Sequence, residues 1–282
     1  MNILYLILII LGVAGQGIVK KPYTEKTGES GAYLFSALTA LFSMLFFVIG
    51  KKEFLWDTGI VPYAFAFALS YAASALFSVL AVANGSLSLT SLMTSYSLMI
   101  PTFYGLIFLK DPMSMYLPIG IGLLAISIFL INKKNDKCRI TLKWLICVLI
   151  SSIGNGLCST FQKMQQVAFD GAYKNEFMIL SLAIVTVVLG TAAIFTSGRN
   201  FKKHLYHARF TAIGCGIMNG IVNMLVMVVS GVMAASVVFP LISAGGIVVT
   251  YAVSKFLYKE TLSRMQFWGL IAGTLSIVFL SI

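Results

Sequence analysis

The chain has 282 residues, 59% of them hydrophobic and only 10% Asp, Glu, Lys or Arg. A soluble domain carries about 25% charged residues, so this composition, with a mean hydropathy of +0.94, excludes a water-facing surface over most of the molecule and makes lipid the solvent for most side chains. The net charge of +11 does not indicate nucleic acid, because the basic residues fall in short clusters between apolar runs (Lys20-Lys21, Lys51-Lys52, Lys133-Lys134, Lys202-Lys203), the pattern that anionic headgroups and the positive-inside bias produce.

At about 20 apolar residues per span, the sequence predicts ten helices over residues 2–20, 31–50, 60–83, 86–109, 113–132, 141–167, 177–197, 207–231, 233–257 and 263–282. The first has no basic region before it and no small-x-small cleavage site after it, so it reads as a retained helix and not as a signal peptide. It carries Gly15-Gln16-Gly17 and closes on Lys20 and Lys21. The third carries Ser70 and Ser74 and is separated from the fourth only by Asn84-Gly85. In the fourth, Ser91, Thr94 and Ser95 share a face with Tyr96 and Pro101 beyond them. The sixth carries Gly154-Asn155-Gly156 and ends near Gln162, Lys163, Gln165 and Gln166. His204 and His207 lie in or beside the loop before the eighth helix, which bears Asn219 and Asn223. The ninth contains Pro240, Ser243, Gly245, Gly246, Tyr251 and Lys255. Loops are short throughout, so no soluble domain is attached, and no period-two alternation suggests a barrel. Cys138, Cys147, Cys158 and Cys215 have no metal-ligand spacing and read as small packing residues.

An internal repeat organises these spans. A shift of 149 residues places Phe108-Leu109-Lys110-Asp111 on Leu257-Tyr258-Lys259-Glu260, Ser114 on Ser263, Gly120 on Gly269 and Ser127 on Ser276. The same shift places Ser70 on Asn219 and Ser74 on Asn223, while a shift of 139 places Gly15-Gln16-Gly17 on Gly154-Asn155-Gly156. Residues 1–135 and 136–282 are thus expected to be two five-helix repeats. An odd number of spans inverts the second copy in the bilayer, and in transporters of this build the substrate site lies near the midplane where the copies meet. The expected fold is an all-α membrane protein of ten transmembrane helices in two inverted five-helix repeats.

Polar groups at membrane depth are costly and mark either pathways or helix contacts. Gln16 and Asn155 sit between glycines at matched positions, which suits both a cavity wall and interhelical hydrogen bonding. Asn219 and Asn223 lie one turn apart on one face. Lys20, Lys163 and Lys255 have two readings: they snorkel to headgroups, or they form a cationic mouth that attracts carboxylate- or phosphate-bearing solutes. None of the nine acids falls in the middle of a predicted span. This argues against a buried proton carrier and, with no acid/base pair or metal cluster in view, against an enzyme, a cofactor or a metal site.

The segments Phe108-Leu109-Lys110-Asp111-Pro112-Met113-Ser114 with Gly120 and Ser127, and Leu257-Tyr258-Lys259-Glu260-Thr261-Leu262-Ser263 with Gly269 and Ser276, resemble the signature of the drug/metabolite transporter superfamily in its ten-span EamA-type branch, once per half. The resemblance implies a basket in which helices one, three, four, six, eight and nine line a central cavity. It makes Gln16, Ser70, Ser74, Tyr96, Asn155, Asn219, Asn223 and Ser243 the candidate lining residues. It implies cargoes such as amino acids, nucleotide sugars or other metabolites, often moved outward. The small multidrug resistance relatives use a glutamate in the middle of their first span; this chain has none there, so their proton exchange is not carried over. The loop charges favour both termini outside, whereas the family usually has both inside.

The sequence therefore leads us to expect a multi-pass carrier of the cell membrane, monomer or homodimer, with a small-molecule substrate and the lipid bilayer as its partners and no nucleic acid. The alternative is a non-transporting membrane partner or sensor subunit.

Overall fold

The computed structural model describes residues 2–50, 55–110, 141–233, 235–259 and 263–281, together with 115–116, 119–120, 122–123, 126–127 and 130. Among them the regular elements are all helical: α1 (Asn2–Thr27), α2 (Ala32–Ile49), α3 (Ile60–Asn84), α4 (Leu87–Ser95), α5 (Met99–Phe108), α6 (Leu142–Ala168), α7 (Lys174–Ser197), α8 (Phe201–Val232), α9 (Ala235–Leu257) and α10 (Arg264–Ser281). Five helical stretches are long and apolar enough to cross a membrane: Leu4–Ile49, which contains α1 and α2, then Ile60–Asn84, Leu142–Ala168, Lys174–Ser197 and Phe201–Val232. Their outward faces carry residues such as Leu69 and Phe195, which are 70% and 87% exposed. This is the chemistry of a multi-pass helical membrane protein, whose backbone must be satisfied within each helix.

Helix starts are set by local side chains. Ser86 accepts a hydrogen bond from the Leu89 amide, and Thr141 from the Trp144 amide. At α10 the cap is reciprocal. The Gln266 amide donates to Ser263 Oγ at 3.1 Å and the Ser263 amide donates to Gln266 Oε1 at 3.0 Å, a capping box that satisfies two otherwise open donors.

Several boundaries depart from the sequence reading. Lys20 and Lys21 do not close the first helix; α1 continues to Thr27. The extra turns are held by Tyr23, which is 1% exposed, stacks on Phe35 at 4.6 Å and donates its hydroxyl to the Gly31 carbonyl. His204 and His207 belong to α8, which begins at Phe201; His204 is buried, with Nε2 3.3 Å from Ser30 Oγ. The fourth predicted span is broken by a 3-10 turn at Tyr96–Leu98. Pro101 explains the break, because it has no N–H to return to the Ser97 carbonyl. The ninth runs unbroken through Pro240. The predicted fifth span lies largely outside the described residues, although residues 119–120, 122–123, 126–127 and 130 within it are helical. Lys51, Lys52, Glu53, Asp111, Ser114, Lys133, Lys134, Asp136, Cys138 and Glu260 also lie outside them.

The helix contacts link elements from both matched stretches of the sequence. Helix α1 rests on α8 and α9, and its counterpart α6 rests on α3 and on α4 and α5. Helices α2 and α7, also counterparts, pack on one another; α2 further meets α8 and α7 meets α3. The largest apolar cluster fills the space between α2, α3 and α7, with Phe47, Phe67, Phe177, Met178 and Leu182 all buried. At the matched ends of α5 and α9, Lys110 and Lys259 have φ of 55° and 51°, left-handed conformations that few residues other than glycine adopt.

Candidate functional site

The second of the two Gly-polar-Gly triads brings helices into near-backbone contact. A Cβ on Gly154 would stand 2.7 Å from the Ser70 carbonyl oxygen and 3.0 Å from the Ser74 amide nitrogen, and one on Gly156 would collide with the Ser97 carbonyl oxygen. Gly15 and Gly17 face side chains instead, Met218 Sδ at 2.9 Å and Leu87 Cδ1 at 3.2 Å. The glycines therefore fix how closely α6 approaches α3 and the broken fourth span, and the polar residue between them is carried with its helix.

Between these helices lies a cavity of about 220 Å³, walled by α1, α2, α3, α4, α6, α8 and α9. Gln16, Ser74, Asn155, Asn219, Asn223 and Ser243 all stand on its wall. An amide relay crosses it from α6 to α1. Gln162 Nε2 donates to Asn223 Oδ1 at 2.8 Å, Asn223 Nδ2 to Asn219 Oδ1 at 3.0 Å, and Asn219 Nδ2 to Gln16 Oε1 at 3.1 Å. Asn219 Oδ1 also accepts from Tyr71 at 2.9 Å and Ser43 at 3.0 Å. Three donors on one oxygen hold that side chain in a single orientation. The relay ends on Gln16, whose NH2 group has no partner among the described residues and is left for the cavity. Opposite it, Asn155 donates to Ser97 Oγ at 2.7 Å, so its amide oxygen stays open as an acceptor. Ser243 donates to the Ser95 carbonyl at 2.9 Å.

Two candidates are elsewhere. Ser70 is off the wall, with its hydroxyl turned back onto the Ala66 carbonyl of its own helix at 2.9 Å. Tyr96 also faces away, its hydroxyl 2.7 Å from Ser127 Oγ. Of the three candidate mouth lysines, Lys20 alone stands on the cavity wall, with Nζ 3.1 Å from Ser78 Oγ. Lys163 donates to the Ser230 carbonyl at 2.7 Å, and α6 continues past it to Ala168. Lys255 is exposed, 6.0 Å from the Tyr251 ring centre. Sequence reasoning missed Ser36 and Thr39 of α2, as well as Tyr71, Ser78, Thr90 and Gln162, all of which line the cavity. The three-residue spacing of Ser36 and Thr39 in an apolar helix was the available signal.

No family model matches this chain, and no curated protein does. One solved structure, described only as the crystal structure of a protein, superposes with a TM-score of 0.66 over 99% of this chain and 95% of its own, at 10% identity. At that identity the likeness concerns the fold alone.

Proposed function

We propose that this protein is an integral membrane carrier of small organic solutes, built as ten spans in two inverted five-helix repeats and working by alternating access as an exporter or facilitator. The observation that supports it best is the cavity of about 220 Å³ with amide and hydroxyl side chains on its wall, placed where helices matched by the sequence repeat pack on each other's partners. Polar side chains inside an apolar helical protein are costly and mark either a pathway or a helix contact, and those gathered around a void favour the pathway. In repeat-built carriers the substrate site sits at such a meeting of the halves. The wall offers amides, hydroxyls and one ammonium group, which suit reversible binding. The reading agrees with the resemblance to EamA-type members of the drug/metabolite transporter superfamily, and with a place in the cell membrane.

The test is to reconstitute the purified protein into liposomes, and to screen amino acids and small organic acids first for thermal stabilisation and then for entry. A stabilising solute should enter protein-containing vesicles faster than protein-free ones and exchange against the same solute trapped inside. Stabilisation without any movement would identify the non-transporting sensor or partner instead.

A further inference from the structure

Lys20 is the one charged side chain on the cavity wall among the described residues. Its side chain turns inward along the fold. Helix α1 runs seven residues beyond it to Thr27, about 10 Å of further helix, and its ammonium turns to Ser78 of α3 across the cavity. Val19 and Tyr23, on either side of it in sequence, pack into the cluster that contains Phe35, so this end of the cavity is backed by α2. Here Ser36, 1% exposed and on the cavity wall, has a hydroxyl oxygen with no hydrogen-bond partner. No Asp or Glu among the described residues reaches the wall. Glu29 is held by Lys143, and Glu176 accepts from the Leu55 amide. Lys20 is half-buried, and the ammonium on this wall has a hydroxyl beside it and no carboxylate among the described wall residues, so an anion entering the cavity would meet an unmatched positive charge.

We propose that the countercharge is the cargo: a small monocarboxylate binds with its carboxylate on Lys20 and a second polar group one turn away at Gln16. Residues 16 and 20 are four apart on α1 and share a face, and both are on the wall. Gln16 presents the donor at the end of the amide relay, which suits a hydroxyl or carbonyl oxygen on the solute. Size sets the other limit. A cavity of about 150 Å³ holds benzene, so about 220 Å³ admits roughly ten non-hydrogen atoms. This inference rests on the carrier reading for its biological meaning, whereas its test measures binding alone.

The full chain in lipid nanodiscs is titrated with para-hydroxybenzoate and with levulinate. Each is compared with its own uncharged amide, and para-hydroxybenzoate also with the cation tyramine. At least one acid should bind roughly ten-fold or more tightly than its amide, because a charge-assisted hydrogen bond is lost, and tyramine should bind more weakly still. Lys20→Gln should erase the preference for acid over amide while the ligand-free melting temperature stays near that of the parent. Lys20→Arg should retain the preference. Equal binding of acids and amides, no binding of either acid, or a preference that survives in Lys20→Gln would each overturn the assignment. Uptake of the tighter acid into vesicles is measured separately: binding without movement leaves the anion site standing and removes the carrier reading.

Discussion

Ser127 and Ser276 make the same hydrogen bond in opposite directions. Ser127 donates to the Gly269 carbonyl at 2.6 Å, and Ser276 donates to the Gly120 carbonyl at 2.7 Å. The 149-residue shift that places Ser127 on Ser276 also places Gly120 on Gly269. Two elements related by a two-fold axis exchange contacts in this way, so the pair supports the proposed relation between the halves. The surroundings differ in one respect. Since the Ser127 hydrogen is committed to Gly269, Tyr96 must be the donor in its 2.7 Å contact with Ser127, whereas the counterpart of Tyr96 is Gly245. Ser276→Ala should therefore cost about 0.6–1.7 kcal/mol, and Ser127→Ala more, because it also strands the Tyr96 hydroxyl. Reversible unfolding in mixed micelles measures both, and equal or inverted losses would contradict the asymmetry.

The glycines of the second triad should be irreplaceable where others are not. Gly154→Ala pushes a methyl group against two backbone atoms of α3, which cannot retreat without moving the helix, at about 1–3 kcal/mol. Gly190 and Gly214 lie inside α7 and α8 with nothing near their Cα hydrogens. Alanine there should be neutral or stabilising by about 0.4–1 kcal/mol. Melting temperatures of the three variants in one detergent decide the point.

Much of this was legible in the residues. The apolar runs mark the helices, and the paired Gly-polar-Gly triads single out Gln16 and Asn155, for which the sequence left a cavity wall and a helix contact equally open; both stand on the wall. What stayed hidden depends on tertiary partners. Nothing local says that α1 passes Lys20, because the cause is Tyr23 docking on Phe35 of the next helix. Ser70 and Ser74 are one turn apart and look alike in sequence. Yet Ser74 faces the void while Ser70 bonds its own backbone, a choice made by how closely Gly154 lets α6 approach. Ser36 and Thr39 offered only their three-residue spacing as a signal, and the family pattern, which does not assign α2 to the cavity, drew attention away from it.

Asn219 and Asn155 should separate stability from transport. Asn219→Leu strands the donors of Tyr71 and Ser43, leaves Asn223 only its bond to the residue-219 carbonyl, and releases Gln16, for a loss of about 1–3 kcal/mol together with loss of uptake. Asn155→Leu removes a single described side-chain bond, to Ser97, worth about 0.6 kcal/mol, but fills the cavity with an apolar branch. It should leave melting nearly unchanged and still abolish uptake. Normal uptake in Asn155→Leu would show that solute does not pass through this cavity.

Thr90 joins the cavity wall to the start of α6, and a hydroxyl is what makes the joint. Its Oγ1 donates to the Ser86 carbonyl at 2.8 Å and, its hydrogen thus committed, accepts from the Trp144 indole N–H at 3.0 Å. Trp144 is 2% exposed, and its ring lies over Gly85, where a Cβ would collide with it. The indole is therefore locked between the turn that links α3 to α4 and the capped first turn of α6. Thr90→Val keeps the shape but leaves a buried donor unpaired, at about 1–3 kcal/mol. Thr90→Ser keeps the acceptor and should lose far less. Gly85→Ala should resemble Thr90→Val, since it displaces the same ring by steric pressure. Tryptophan emission and melting temperature, read on the three variants, should move together in Thr90→Val and Gly85→Ala and stay with the parent in Thr90→Ser. A Thr90→Val protein as stable as Thr90→Ser would mean that the indole has found another acceptor, and that the joint depends on packing alone.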